Sequence, residues 1–388
     1  MDVSLRTVIR EWGRIGCIGF GGPPAHIALL RQLCVDDRGW LTAEEFSDAV
    51  ATCNLMPGPA STQLAIYCAW RLRGRSGALA GGVAFILPGL VVILALSVLF
   101  VVGSPPLWVR GLSAGSGAAV AAVAVSAGWT LLVPSWRRTD ARVRWVFFLL
   151  AGLAAAALVG EWLVLVLLGC GAIELLVKHG LPHRDGSHAS AILLAKVTMG
   201  TGILLPVAWV ALKVGALSFG GGFVIIPLMQ ADAVGHGWMT SAQFLNAVAL
   251  GQITPGPVVQ TVAVVGYAAG RLAFNGAVVG AIGTGLLASV VAFAPSFLFV
   301  LVGGPRFGAL RSNKRAQAFL EGAGPAAIGA ILGSAIPLAR ALLEPWQFGV
   351  LAGAALLLLA LRRGVVLTLL LAACAGLAVA LAGGPLPA

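Results

Sequence analysis

Two stretches decide how this chain folds: Trp40-LTAEEFSDAVATCNLMPGPASTQLA and Trp238-MTSAQFLNAVALGQITPGPVVQTVA. Trp40 matches Trp238, Phe46 matches Phe244, Ala49 matches Ala247, Pro57 matches Pro255 and Pro59 matches Pro257, each pair 198 residues apart. Upstream of each stretch lies a second matched pair, Arg14-IGCIGFGGPP and Lys213-VGALSFGGG, in which Arg14 and Lys213, Gly16 and Gly215, and Phe20 and Phe219 stand 199 apart. An Arg-Leu pair follows in both copies, at Arg71-Leu72 and Arg271-Leu272. A fixed period this long marks an internal duplication. The first copy occupies residues 1–177 and the second 191–388, with the polar run KHGLPHRDGSHAS, residues 178–190, as the linker.

The solvent of these copies is lipid. Of 388 residues 59% are hydrophobic and 10% charged, with a mean hydropathy of +0.97, against about 25% charged in a soluble domain. So few charges cannot coat a water-soluble protein of this size, which excludes aqueous enzymes, DNA-binding proteins and secreted disulfide scaffolds. Apolar runs follow the motifs at about 77–100, 113–133, 145–159 and 162–177, and again at about 275–302, 319–339, 346–361 and 365–383. They do not alternate, so they read as membrane helices rather than barrel strands. The six cysteines form no CxxC and no paired spacing, and read as small apolar residues. Arg6, Glu11 and Arg14 interrupt the first apolar run, which argues against a cleavable signal peptide.

The net charge of +11 is mostly a topology signal, because cytoplasmic loops collect Lys and Arg. In the first copy Arg71, Arg73, Arg75, Arg137, Arg138, Arg142, Arg144, Lys178 and Arg184 fall on one side and Arg110 on the other. In the second copy the phase is shifted by one loop: Arg306, Arg311, Lys314, Arg315, Arg362 and Arg363 stand against Arg271 and Arg340. The copies therefore have opposite orientations, an arrangement common in secondary transporters. The expected fold is an all-α polytopic membrane protein of two inverted-topology repeats, about ten transmembrane helices plus broken or re-entrant ones. An inversion needs an odd number of crossings per copy. The expectation is four clean spans plus one net crossing in the motif region, which puts the N-terminus, with Arg6 and Arg10, outside.

The motif regions carry the chemistry. Phe20-Gly21-Gly22-Pro23-Pro24 is echoed by Phe219-Gly220-Gly221-Gly222, and Pro57-Gly58-Pro59 by Pro255-Gly256-Pro257. Proline removes a helix donor and glycine admits angles other residues avoid, so each motif breaks a helix. Membranes tolerate such breaks only where protein buries them or where they line a wet cavity. The helix that restarts after a break offers free N–H groups and the positive end of its dipole to an anion. Arg14 and Lys213 each lie six residues before the break phenylalanine, close to it on a helix, and an ionisable group in an apolar run is costly; the alternative is snorkelling to the interface. Asn54 and Gln252 each stand three residues before the first proline, and Gln63 and Gln260 follow the motif. Amides of this kind either donate to an oxyanion or join neighbouring helices. Thr42 reads as an N-cap, with Glu44, Glu45 and Asp48 complementing the dipole, and Trp40 and Trp238 as interfacial anchors.

FGGP near the N-terminus, W-L-T-x-x-x-F followed by LMPGP, and a second copy with SFGGG and TPGPV together resemble the chromate ion transporter family in its long two-domain form. The resemblance spans both halves. It implies export of chromate across the bacterial inner membrane by a multi-pass protein, driven by the membrane potential or a proton gradient. It singles out Phe20, Gly21, Gly22, Pro23, Pro57, Gly58, Pro59 and their second-copy counterparts. Gly222 stands where the first copy has Pro23, so the first break differs between halves. The expectation is then an anion held at the repeat interface and exposed alternately to either side. The substrate is chromate or a tetrahedral relative such as sulfate. No cofactor, metal or nucleic acid is expected; the bilayer is, and a homodimer is admitted. A channel is a second reading. An integral membrane enzyme is a third, for which His26, Asp36 and Asp37 are the nearest approach to a reactive cluster.

Overall fold

The computed structural model describes residues 3–56, 58–100, 105–159, 162–179, 202–218, 225–304 and 313–387. All regular structure among them is helical. The first repeat holds α1 (Leu5–Ile18), α2 (Pro23–Arg31, continued by a π turn to Asp37), α3 (Ala43–Leu55), α4 (Ala60–Phe100), α5 (Leu107–Arg138), α6 (Arg142–Ala154, with a π turn to Val159) and α7 (Leu163–His179). The second holds α8 (Leu204–Leu217), α9 (Ile225–Gly235), α10 (Ser241–Ile253), α11 (Thr261–Ala273), α12 (Val278–Gly303), α13 (Lys314–Arg340), α14 (Pro345–Ala355, with a π turn to Ala360) and α15 (Val365–Leu381). α4 is two helices joined by non-helical backbone at Arg73 and Gly74. Its halves correspond to α11 and α12, which the left-handed pair Asn275 and Gly276 separates. Among the described residues four helices, α4, α5, α12 and α13, are long and apolar enough to cross a membrane. The second half of α4 with α5, α6 and α7, and then α12 to α15, coincide with the eight apolar runs.

The inversion is visible in the packing of equivalent helices. A Cβ on Gly82 of α4 would stand 2.5 Å from the Phe297 ring of α12, and one on Gly285 of α12 would stand 2.7 Å from Leu94 of α4. Gly82 and Leu94 on α4, and Gly285 and Phe297 on α12, each stand twelve residues apart and pair in opposite order. Twelve helical residues span about 18 Å, so this reciprocal pairing requires the two helices to run antiparallel.

The repeats are also interlocked. α5 packs against α15 and α14 of the other repeat, and its counterpart α13 packs against α7 and α6. Small residues make these seams. A Cβ on Gly115 would overlap the Ala372 carbonyl, and one on the matched Gly322 would overlap the Cys170 carbonyl. Gln347 of α14 donates to Ala114 O at 3.2 Å. Close backbone approach of this kind drives helix association where lipid removes the hydrophobic force.

Polar contacts mark the two ends of the bundle. At one end Arg110 donates to Pro387 O at 3.3 Å and Trp346 to Pro385 O at 2.9 Å. At the other, Arg144 grips Glu174 through two bonds of 2.8 and 3.1 Å, and Lys178 pairs with Glu321. This second end gathers the basic loops and is called the basic face below. α4 ends beside the start of α5 at the first end, so its second half begins at the basic face.

The motif region of the first repeat corrects the expected net crossing. α1 runs alongside the second half of α4 in the same sense: Val8 and Trp12 lie beside Gly81, and Gly16 beside Phe85. The chain then turns back. Arg38 reaches Glu11 at 3.1 Å, Trp40 stacks on Trp12 at 6.3 Å, and Arg71, at the end of the first half of α4, bonds Glu45, at the start of α3, at 2.6 Å. The region is two hairpins that enter and leave at the basic face, so the N-terminus lies there rather than outside. The first repeat makes four crossings among its described residues instead of the expected five, and the odd count that the inversion requires is not completed within them. The physical reason is length: the 14 residues of α1 and the 13 of α3 cover about 20 Å each, short of the roughly 30 Å hydrocarbon core. Thr42 caps α3 in a full capping box with Glu45, and Thr240 and Gln243 do the same for α10.

Candidate functional site

The hairpin tips of the two repeats meet. Gly21 and Gly22 adopt φ of 94° and 75°, which lets the chain reverse between α1 and α2. A Cβ on Gly22 would stand 3.6 Å from Val258, just past the second PGP, and Gly256 N–H donates to Gly19 O at 2.9 Å. A Cβ on Gly58 would stand 3.4 Å from Gly215 O. Thus the first break of the first repeat abuts the PGP break of the second, and α8, which leads toward the second repeat's first break, abuts the PGP break of the first. Pro57, Phe219, Gly220 and Gly221 lie outside the described residues.

Polar side chains crowd this junction. Gln260 donates to Ile86 O at 2.7 Å, while its Oε1, the Gln252 Nε2, the Thr62 hydroxyl and the Ser218 hydroxyl have no partner among the described residues. All four residues are at most 4% exposed. A buried polar group left unpaired costs about 1–3 kcal/mol, and these groups lie beside the helix breaks. The side chain of Gln63 is buried and folds over Gly58, as that of Gln260 folds over Gly256. Pro59, Pro255 and Pro257 are buried; the Pro255 carbonyl presses on Gly89 of α4.

Helix starts differ in what they offer. α4 restarts at Ala60, and its first helix bonds run from Thr62 and Gln63 to Pro59 O at 2.9 and 3.0 Å, leaving the Ala60 and Ser61 amides ahead of the ladder. α2 starts at Pro23-Pro24, so its first two positions have no N–H at all. That end contributes a dipole but few donors.

A cavity of 1190 Å³ leads toward this junction. Gly21, Pro23 and Asn54 line it within the hairpins, and Arg138, Arg144 and Glu174 line it at the basic face. Asn54 is exposed, whereas its counterpart Gln252 is buried. Phe20 is 43% exposed.

The two candidate bases are both engaged. The Arg14 side chain is 71% exposed and lies 3.8 Å from Glu11, a carboxylate that Arg10 and Arg38 also hold. Lys213 is more enclosed, at 19%, and bonds both oxygens of Asp232 at 2.7 Å. Its neutralisation by α9 was not expected, since Asp232 matches Cys34 in the first repeat. His26 is the other residue that sequence reasoning passed over for this site. It is fully buried, edge-on to Phe85, with Nε2 2.9 Å from Gly19 O and Nδ1 3.2 Å from Ser61 Oγ.

Fold and junction together define an inverted-repeat polytopic membrane protein with broken helices meeting at its centre, the architecture of a membrane transporter. Residues 6–175 and 205–377 each match the model of the chromate transporter family, and the chain belongs to that family, one of transporters and not of enzymes. It is 31% identical over 364 residues to a chromate transport protein of Pseudomonas aeruginosa (88% of this chain, 83% of that one). A chromate transport protein of Cupriavidus metallidurans is 32% identical over 356 residues (87% and 83%), and a probable one of Synechococcus elongatus 29% over 374 (89% and 91%). No solved structure matches the chain.

Proposed function

We propose that this protein exports chromate, or a related tetrahedral dianion such as sulfate, across the bacterial inner membrane by alternating access. The observation that carries this reading is the set of unpaired buried donors around the helix breaks, the Thr62 and Ser218 hydroxyls and the Gln252 Nε2, next to the amino end of α4. An oxyanion wants such donors, and neutral donors bind a dianion without trapping it. The cavity from the basic face is the entry route in the state open to the cytoplasm, and the interlocked repeats are the bodies that rock. Outward movement of a dianion is favoured by about 4.6 kcal/mol at 100 mV, inside negative, twice the value for one charge. The membrane potential therefore supplies a sufficient drive.

The test is uptake of radiolabelled chromate into inverted vesicles, with sulfate as competitor and the potential and pH gradient collapsed separately. Saturable uptake that falls when the potential is collapsed is expected. Unsaturable flux that follows concentration alone would mean a channel. Gln252→Leu is expected to raise the half-saturating chromate concentration roughly tenfold, the equivalent of one hydrogen bond to a charged group at ~1.5 kcal/mol, at unchanged protein level. An unchanged half-saturation would remove Gln252 from the site.

A further inference from the structure

We propose that His26 and Ser61 form a proton-linked element of the anion site, so that a dianion binds together with a proton on His26. The inference rests on the reading of the breaks as an oxyanion site. His26 lies between the two breaks of the first repeat: Gly19 closes α1 before FGGPP, and Ser61 opens α4 after PGP. A carbonyl only accepts, so the 2.9 Å contact with Gly19 O places a hydrogen on Nε2. In the neutral ring Nδ1 is then the acceptor, and the 3.2 Å contact makes Ser61 its hydroxyl donor. The Ser61 hydrogen is thereby spent on the imidazole.

Protonation reverses that bond. Nδ1–H donates to Ser61 Oγ, and the Ser61 hydrogen is freed to turn elsewhere. Ser61 sits in the first turn of α4, between the Ala60 amide and Thr62, whose buried hydroxyl has no partner among the described residues. One proton thus adds a charge and a donor to the same helix start. The groups facing His26 are the Gly19 carbonyl from α1 and the Ser61 hydroxyl and Phe85 ring from α4. Glu11, two turns earlier on α1, is held by Arg10 and Arg38, and Arg31 on α2 and Asp36 and Asp37 on its π turn are solvent-exposed or partly so. No ion pair among the described residues includes His26. A buried imidazolium without a counter-charge is costly, and a dianion beside it supplies one. Proton and anion affinities are then reciprocal. The second repeat has no such element, for Ile225 and Val259 occupy the matched positions.

Calorimetric titration of the full-length protein in nanodiscs tests this, with chromate and with sulfate, which takes no proton of its own between about pH 6 and 8. Buffers of different ionisation enthalpy report the protons taken up. Wild type is expected to take up a proton with the anion, with affinity falling up to tenfold per pH unit where coupling is complete. His26→Gln, which keeps an amide donor for Gly19, is expected to take up none and to bind independently of pH. Ser61→Ala is expected to weaken binding while retaining uptake. Wild-type binding without proton uptake overturns the proposal, as does undiminished uptake in a folded His26→Gln; the wild-type measurement decides alone should that variant misfold. Absence of any anion binding by wild type would instead overturn the oxyanion reading on which the proposal stands.

Discussion

Leucine at Gly322 or Gly115 is expected to abolish stable insertion of the protein, although neither residue touches the proposed site. Each glycine lies on the helix that its repeat lends to the other, and a Cβ there would overlap a backbone carbonyl, of Cys170 or Ala372. Backbone cannot rotate aside as a side chain can. The helices must separate along the seam, and every neighbouring contact is lost with them. Overpacking by a few methylenes already costs about 1–3 kcal/mol in a core with flexible neighbours. Four added carbons against a rigid backbone exceed that and approach the whole stability of a domain. The control is Gly169→Leu on α7, beside Cys170, where a Cβ meets nothing within 4 Å. Monodisperse protein after detergent extraction, and its melting temperature, check the prediction. A Gly322→Leu protein that melts like Gly169→Leu would show that the seam is not tight.

That seam is also where sequence reading stopped short. Duplication, breaks and apolar runs were legible because each is a local pattern repeated at a fixed distance. The opposite orientation was legible because loop arginines record it. Exchange of α5 and α13 between repeats left no local trace: Gly115 and Gly322 read as ordinary small residues until their partners are known. The hairpins were half legible. Thr42, Glu45 and the glycine pairs announced helix ends, but whether the chain crosses or returns is decided by contacts such as Glu11 with Arg38, 27 residues apart.

Matching the repeats against each other found the candidate site and also limited it. Gln252 and Gln260 emerged because Asn54 and Gln63 answer to them. Asp232 and His26 did not emerge, because their counterparts are Cys34 and Ile225. Functional asymmetry is invisible to a method that looks for symmetry. The proline pair at Pro23-Pro24 takes the amides from the start of α2, against the expectation that each restarted helix offers free N–H groups, and leaves the start of α4 better furnished with donors.

Lys213→Ala is expected to eliminate chromate transport, and the double variant Lys213→Ala/Asp232→Ala is expected to separate the reasons. In the single variant Asp232, 14% exposed, loses the ammonium that bonds both its oxygens. Removing one partner of an enclosed pair costs about 3–5 kcal/mol because the other charge is left uncompensated. Loss of transport alone therefore cannot tell a binding role from a structural one. Removing both charges relieves the uncompensated carboxylate, and stability is expected to return to within about 1 kcal/mol of wild type in this partly open pair. Transport then discriminates. If Lys213 attracts the dianion once Asp232 gives way, the double variant is folded and still inactive, and Asp232→Asn alone binds chromate more tightly by releasing the lysine. If the pair only ties α8 to α9, the double variant transports at the wild-type rate, and that result would withdraw Lys213 from the anion path. The Trp209 ring, 6.0 Å from the ammonium, gives the measurement a local probe, since its fluorescence is expected to respond to chromate in the wild type and not in the double variant.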